Sequence, residues 1–245
     1  RPIVVGDELQ TDVELSSVRR VAGRDMITIT NTFVDTAGET VQTMHTTVVG
    51  ITSDEVDPAI NAAVRKVVMH DLDADAMTVG VENYVKTVRP ADPVRHSEGG
   101  QTRVVGSRNF DTLAVGDPLP GHHSALSRGD LVNYAGVAGD ANPIHWDENI
   151  AKLAGLPDVI AHGMLTLGLG AGYAASWCED PGAIARYAVR LSAPAIVPSD
   201  GRGEIEFGGR IKSLDPDTRS GVVIITAKSV GKKIFGMATM GMRFA

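Results

Sequence analysis

A carboxylate and an imidazole lie five residues apart in the segment GDANPIH at residues 139–145. When such groups are held in place, they can move protons to and from carbon and oxygen, which is general acid–base chemistry. Pro143 stiffens the turn between them, and Asn142 can fix its shape through local side-chain to backbone hydrogen bonds. The spacing therefore predicts that Asp140 and His145 act together at one catalytic site.

A purely structural interpretation is the alternative, with Asp140 capping the short helix after the turn and His145 an ordinary, partly buried histidine. The segment belongs to a longer pattern, however, because Tyr134 precedes it and the small residue Ala151 follows it. The whole pattern, Tyr then Gly-Asp-x-Asn-Pro-x-His then a small residue, resembles the hydratase motif of the MaoC and (R)-specific enoyl hydratase family. A match at every position favours the catalytic interpretation.

The resemblance implies a lyase that interconverts (3R)-3-hydroxyacyl and trans-2-enoyl thioesters with loss or gain of water. Dehydration removes an α-proton of high pKa and expels a poor leaving group, so both steps need positioned proton-transfer groups. We expect His145 to exchange the α-proton and Asp140 to handle the hydroxyl group or water. One water molecule bridging both side chains would reverse these roles.

A second element of the site is predicted at the start of the apolar helix, in the sequence AHGM at residues 161–164. Free N–H groups at a helix N-terminus can stabilise the developing enolate oxygen of a thioester, and glycine allows close approach. The resemblance implies that Gly163 is this donor. His162 either lines the pocket or packs under the helix. With Tyr134, Asn142 and Met164, it is predicted to bind substrate or position the loop.

No cofactor is expected. The sequence has no nucleophile elbow, phosphate loop or dinucleotide fingerprint. Asp140, His145 and His162 together could suggest a metal site, but a metal is not expected, because no ligand pair lies on one helical face and no close Cys/His cluster is present. The adjacent pair His122 and His123 would point its rings apart in a strand.

The elements that must position these residues can be traced along the chain. Alternating, β-branched sequence predicts strands between residues 13 and 49, with a hairpin turn at residues 35–38. Helical spacing and capping residues predict helices at 57–68, 127–138, 147–154 and 163–177. Four later strands are predicted at 185–192, 204–214, 222–230 and 234–242, the second with a bulge at Gly208-Gly209.

Helices followed by antiparallel strands indicate an α+β fold, in which a curved sheet wraps the apolar helix. The resemblance implies the hot-dog fold. A weak repeat between residues 2–7 and 195–200 predicts a double hot dog with an incomplete first copy. We expect residues 1–70 to form a partial, non-catalytic hot dog, 71–109 a linker, and 110–245 the catalytic MaoC-like hot dog. The three helix glycines, Gly168, Gly170 and Gly172, predict close packing against the sheet, with room for an acyl chain as the alternative.

Composition limits the remaining possibilities. The 245 residues carry a net charge of −7, which argues against a nucleic-acid surface. The single Cys178 fits a reducing compartment, and with no secretory signal we expect a cytoplasmic protein. The apolar stretch at residues 164–177 is too short to span a bilayer. The start at Arg1, within strand-like sequence, suggests a truncation.

From Phe110 onward the chain is similar to the catalytic B-type subunit of the (3R)-hydroxyacyl-ACP dehydratases of long-chain fatty-acid elongation. Residues 130–136, 160–166 and 231–236 carry this similarity. It implies dehydration on acyl carrier protein, whose acidic face, or the phosphates of coenzyme A, could contact Lys232 and Lys233. It also implies a homo-oligomer or pairing with another hot dog. The alternatives are an (R)-specific enoyl-CoA hydratase of degradation or polymer supply, and a non-catalytic acyl-binding partner subunit.

Overall fold

The computed structural model describes residues 3–51, 55–67 and 108–245, which form two compact units. One unit contains the described residues up to Arg65, and the other contains those from Arg108 onward. Residues 71–107 of the predicted linker lie outside the described residues, so the boundaries of the linker stay a prediction. No helix in the described ranges is long and apolar enough to cross a membrane.

The first unit is a three-stranded antiparallel sheet followed by a helix. Its strands β1 (Leu9–Val21), β2 (Arg24–Asp35) and β3 (Thr40–Gly50) are hydrogen-bonded in that order. The predicted hairpin turn is confirmed, since the Asp35 side chain accepts hydrogen bonds from two backbone N–H groups of the turn. The predicted helix is also confirmed as α1 (Pro58–Val67), with Asp57 accepting from the Ala59 N–H at 2.8 Å.

This first sheet is amphipathic and has no core of its own among its described residues. Val13 and Leu15 lie on one face, and an irregularity before Ser17 returns Val18 to that face, opposite Ile27. Ile27 in turn pairs with Val48, so one apolar face runs across all three strands. All five apolar side chains are exposed, and no described residue of this unit is fully buried. That this unit is a non-catalytic hot dog stays a prediction.

The second unit contains the hydrophobic core. Its helices are α2 (Arg128–Ala138), α3 (Glu148–Leu153) and α4 (Gly163–Cys178). Its strands are β4 (Pro118–Leu126), β5 (Ile184–Leu191), β6 (Gly203–Asp215), β7 (Ser220–Ser229), β8 (Lys232–Lys233) and β9 (Phe235–Arg243). The main sheet is antiparallel with the order β4-β6-β7-β9-β5, and β8 pairs with β7. A long apolar helix against such a sheet is the hot-dog arrangement, so the predicted α+β hot-dog fold is confirmed.

Helix α4 packs one face against the sheet, and its opposite face is exposed. On the sheet side, the Tyr173 ring packs 5.8 Å from Phe207 and the Trp177 ring 6.1 Å from Phe244. The opposite side is an exposed stripe with a spacing of four residues, formed by Met164, Gly168, Gly172 and Ser176. The helix is therefore both a core element and one wall of an open groove.

The alternating glycines of α4 divide between these two faces. A Cβ atom on Gly170 would lie 2.6 Å from the Tyr187 hydroxyl and 3.1 Å from the Phe235 ring. A Cβ on Gly168 or Gly172 would meet no atom within 4 Å. The sequence left close packing and room for an acyl chain as alternatives. In the structure, Gly170 allows close packing and the other two glycines leave open space.

This division predicts opposite results for two alanine substitutions. Gly170→Ala and Gly172→Ala gain the same helix propensity, about 1 kcal/mol, but only the first forces an added methyl group into the core. Overpacking of this kind costs about 1–3 kcal/mol. We therefore expect Gly170→Ala to be less stable than Gly172→Ala by that amount, measured as the free energy of unfolding in urea. Equal stabilities would contradict the packing described for Gly170.

Two features of the sheet differ from the sequence expectations. Strand β4 was not predicted, because Pro118, Pro120 and Gly121 interrupt its alternation, and an edge strand tolerates such residues. The bulge predicted at Gly208-Gly209 is wrong, since both glycines pair in register with β7. The irregularity lies opposite them, on β4. Gly209 instead allows the β7 backbone to lie close to it, because a Cβ there would be 2.5 Å from a carbonyl oxygen of β7.

Candidate active site

The segment at residues 139–145 is held between two capped helices. Ser127 and Asp130 form the predicted capping box at the start of α2, which ends at Gly139 in the left-handed conformation (φ +69°). The Asn142 side chain accepts from the Ile144 N–H at 3.3 Å, as expected for a residue that shapes the turn. Helix α3 is capped by Asp147, whose side chain accepts from the Ile150 N–H at 2.9 Å. Asp140 therefore does not cap the helix that follows the turn.

Asp140 and His145 face each other across a short gap. The nearest approach is 4.0 Å, between Asp140 Oδ2 and His145 Nε2. His145 is almost fully buried, with 8% of its side chain exposed, whereas 49% of the Asp140 side chain is exposed. The distance is too long for a direct hydrogen bond but suits one small oxygen species that contacts both groups. The predicted pair is thus assembled with room for a water molecule or a hydroxyl group.

The tautomer of His145 follows from its second ring nitrogen. Nδ1 lies 2.8 Å from the backbone oxygen of Ile160, and a carbonyl only accepts, so Nδ1 carries the proton. In the neutral ring, Nε2 is then an unprotonated base directed towards Asp140. Burial lowers the pKa of His145, as does neighbouring His162, against the opposing effects of the Ile160 carbonyl and Asp140. His145 therefore keeps its basic form to a lower pH than free histidine.

The start of α4 lies beside this pair, because the residue before the helix contacts both parts of it. His162 is fully buried, and its ring stacks on His145 with centroids 3.8 Å apart. Its Nε2 lies 3.2 Å from the backbone oxygen of Asp140. This burial favours a packing role for His162 over the alternative of lining the pocket. Gly163 follows as the first helical residue, so its N–H is one that the helix leaves without an intrahelical acceptor.

Asp140, His145 and His162, the three residues that the sequence suggests together as a possible metal site, do form a cluster, with three ligand-type atoms within 4.8 Å of one another. Metal-binding imidazoles must direct in-plane lone pairs at one ion, about 2.0–2.1 Å from each nitrogen for zinc. The two rings here are stacked with an interplanar angle of 24°, so their in-plane lone pairs run nearly parallel. One nitrogen of each ring also contacts a backbone oxygen. This arrangement fits proton transfer better than metal binding.

A groove of about 430 Å³ opens next to this cluster. It starts at Met164, beside Gly163, and follows the exposed stripe of α4 to Ser176, a distance of about 18 Å at the helical rise. Its walls are mainly apolar, with Tyr134 at the end nearer the cluster. Tyr134 and Met164 were predicted to contact substrate. Gly168 was named as a residue that leaves room for an acyl chain, which was one of two alternatives. Three other lining residues were missed because no motif contains them: His122 and Ser124 on β4, and Tyr173 on α4.

Lys232 and Lys233 lie on the exposed hairpin formed by β7 and β8. This hairpin reaches the end of β5, where the Ser192 hydroxyl donates to the Lys233 carbonyl at 2.9 Å. The neighbouring Leu191 side chain lies where a Cβ on Gly163 would be. Neither lysine forms an ion pair within the described ranges. The two cations are therefore accessible near the strand end that meets the start of α4.

Comparison with known proteins identifies relatives of the second unit and of the whole chain. The family described as the MaoC like domain matches residues 110–229. A solved structure of a MaoC-like dehydratase is 65% identical in sequence and superposes with a TM-score of 0.83. The match covers all of this chain and 72% of that one. A 3-hydroxybutyryl-CoA dehydratase of Methylorubrum extorquens is 37% identical over 111 residues, which are 44% of this chain and 67% of that protein.

A 3-hydroxyacyl-thioester dehydratase X of Mycobacterium tuberculosis is 40% identical over 82 residues. The match covers 34% of this chain and spans only 28% of the length of that relative.

Proposed function

The chain belongs to the MaoC-like dehydratase family, and from that premise we propose that it is a hydro-lyase interconverting (3R)-3-hydroxyacyl and trans-2-enoyl thioesters. One observation carries the proposal. Asp140 and His145 flank a gap of 4.0 Å beside the free N–H groups at the start of α4. A base, a hydroxyl-binding carboxylate and an oxyanion donor are the three groups that dehydration of such a thioester needs.

In the dehydration direction, His145 Nε2 takes the α-proton while the Gly163 N–H donates to the thioester oxygen. The electrons of the broken C–H bond pass to the enolate and then form the double bond as the C–O bond breaks. Asp140 accepts a hydrogen bond from the departing hydroxyl group, and Nε2 returns its proton to that oxygen, so water leaves and His145 is neutral again. Hydration reverses these steps. The same geometry permits the alternative in which Asp140 takes the α-proton.

The groove along α4 is the proposed binding site for the acyl chain. It starts beside the thioester position, at Met164, and its floor lacks side chains at Gly168 and Gly172. An apolar groove about 18 Å long favours acyl chains well beyond four carbons. The proposed substrates are therefore enoyl and 3-hydroxyacyl thioesters of medium or greater length, with short ones also accepted.

Hydration rates of crotonyl, octenoyl and dodecenoyl thioesters test both the function and the groove. We expect hydration of all three, followed as loss of the enoyl absorbance. Gly168→Leu should lower kcat/KM for dodecenoyl thioester by roughly 10–200-fold, with little effect on crotonyl thioester. Gly168→Ala is the matched control and should keep the long-chain activity, since its methyl group meets no atom within 4 Å.

This experiment tests the enzymatic function and the acyl-chain role of the groove separately. An equal loss on all three chain lengths would contradict the acyl-chain role of the groove. The absence of hydration of any of the thioesters by the unmodified protein would contradict the enzymatic function and favour a non-catalytic acyl-binding subunit.

For the carrier, we propose acyl carrier protein, in the dehydration step of fatty-acid elongation, with coenzyme A as the alternative. The exposed Lys232 and Lys233 suit either an acidic protein surface or phosphate groups. The relative named as a CoA dehydratase favours the alternative. Turnover of equal-length acyl groups on the two carriers distinguishes them. A homo-oligomer, or pairing with another hot dog, and a cytoplasmic location stay predictions.

A further inference from the structure

His162 touches every part of the proposed catalytic site, although its own nitrogens play no part in the proposed reaction. Its ring stacks on His145 with a centroid distance of 3.8 Å, and the Tyr134 ring lies 4.9 Å away on α2. Its Nε2 contacts the Asp140 backbone, and the next residue is Gly163. With no exposed surface, His162 cannot contact substrate directly.

One hydrogen bond fixes the tautomer of the His162 ring. Nε2 lies 3.2 Å from the Asp140 backbone oxygen, so Nε2 carries a proton and donates it. Nδ1 is buried and has no hydrogen-bond partner within the described residues. His162 therefore acts as a hydrogen-bond donor to the loop through Nε2–H.

The His162 ring acts on His145 by excluding water. His162 covers one face of the His145 imidazole, and the Ile160 carbonyl occupies Nδ1, which leaves Nε2 facing the carboxylate of Asp140. Desolvation disfavours the imidazolium form, because a charged ring loses more hydration energy than a neutral one. Among the described residues, the titratable groups that face His145 or its stacked partner are Asp140, His162 and Tyr134.

We propose that His162 is a positioning residue with two separable effects: its ring keeps His145 neutral by shielding it from water, and its Nε2–H holds the Asp140 backbone against the start of α4. This inference rests on the proposed function, since it assigns His145 as the base. It accounts for a fully buried histidine with an unpartnered nitrogen at the point where the loop and the helix meet.

Two substitutions separate the effects. His162→Phe keeps an aromatic ring over His145 but loses the donor to Asp140. His162→Gln keeps a donor close to the position of Nε2 but loses the stacked ring. We expect His162→Gln to shift the acidic limb of the kcat/KM profile to higher pH, because water gains access to His145. We expect His162→Phe to leave that limb in place and to lower kcat by roughly 2–10-fold, the effect of one lost hydrogen bond.

Histidine ¹⁵N chemical shifts provide a second measurement that needs no turnover. His145, assigned by comparison with a His145→Asn variant, should stay neutral in the unmodified protein at a pH where it is already protonated in His162→Gln. An unshifted His145 titration in His162→Gln, or equal shifts in both variants, would overturn the inference. If the His145 titrations follow these expectations but no thioester is hydrated, the proposed function fails and the packing role of His162 stands. Circular dichroism establishes that each variant is folded.

Discussion

Replacing His145 with asparagine should lower the rate of enoyl-thioester hydration by roughly 10²–10⁴-fold, the usual contribution of a positioned proton-transfer group. Asparagine can still donate to the Ile160 carbonyl from the position of Nδ1, so the local hydrogen bond to the backbone is kept. It has no atom that can replace the basic Nε2. The change thus removes the base from the gap that faces Asp140, with little disturbance of the loop.

Asp140→Asn should cause a loss in the same range, because the amide keeps the shape of the carboxylate but not its charge. The double variant should be little worse than either single variant, since residues that act as a unit are strongly non-additive. Asp147→Asn is the matched control. Asp147 caps α3 and asparagine caps helices equally well, so this second change of a carboxylate to an amide should leave activity intact.

The pH profile gives the same prediction a second readout. Burial lowers the pKa of His145, so the basic form persists below the pH at which free histidine is protonated. The kcat/KM of the unmodified protein should therefore fall only as pH drops through this lowered pKa. The residual activity of His145→Asn should lack that limb. Full activity in Asp140→Asn or His145→Asn, or an unchanged acidic limb, would refute the assignment of the pair.

Local signals in the sequence predicted the helices and the reactive pair. The capping box at Ser127 and Asp130, and the cap and proline at Asp57 and Pro58, involve residues within three positions of one another. Their effects on the backbone are short-range, so they can be inferred without the fold. The segment at residues 139–145 is equally local, because one turn fixes the separation of its two reactive groups.

Contacts between distant residues could not be predicted in this way. His162 lies 17 positions after His145, and only the folded chain stacks their rings, so the sequence could name both residues but not their contact. Glycine alone also does not show what lies opposite it. Gly170 faces Tyr187 and Gly172 faces open space, yet the two are indistinguishable in sequence. Both cases depend on packing between elements, which periodicity does not encode.

The residues assigned to the proposed chemistry lie in the second unit. Asp140, His145 and Gly163 all lie in the unit that contains every fully buried hydrophobic residue of the described chain. The first unit presents an apolar sheet face. A rigid core behind the site is what proton transfer needs, since small displacements of the reacting groups cost large factors in rate.

Replacing Gly163 with proline should lower kcat/KM by roughly 10²–10³-fold relative to Gly163→Ala, because proline removes the N–H assigned to the oxyanion. The helix itself should tolerate the change. Proline is favoured at the first helical position, and His162 (φ −56°, ψ 134°) already has the extended conformation that a residue before proline requires.

Alanine is the control because it introduces the same Cβ but keeps the N–H. In both variants that Cβ would lie 2.5 Å from the end of the Leu191 side chain, which is exposed and can rotate away. Any steric effect of Leu191 is therefore shared by both variants. The difference between their kcat/KM values measures the effect of removing the N–H donor. Equal kcat/KM values for folded Gly163→Pro and Gly163→Ala proteins would show that the thioester oxygen is bound elsewhere. A large difference confined to kcat/KM, with similar unfolding free energies, is what an oxyanion donor at the start of α4 requires.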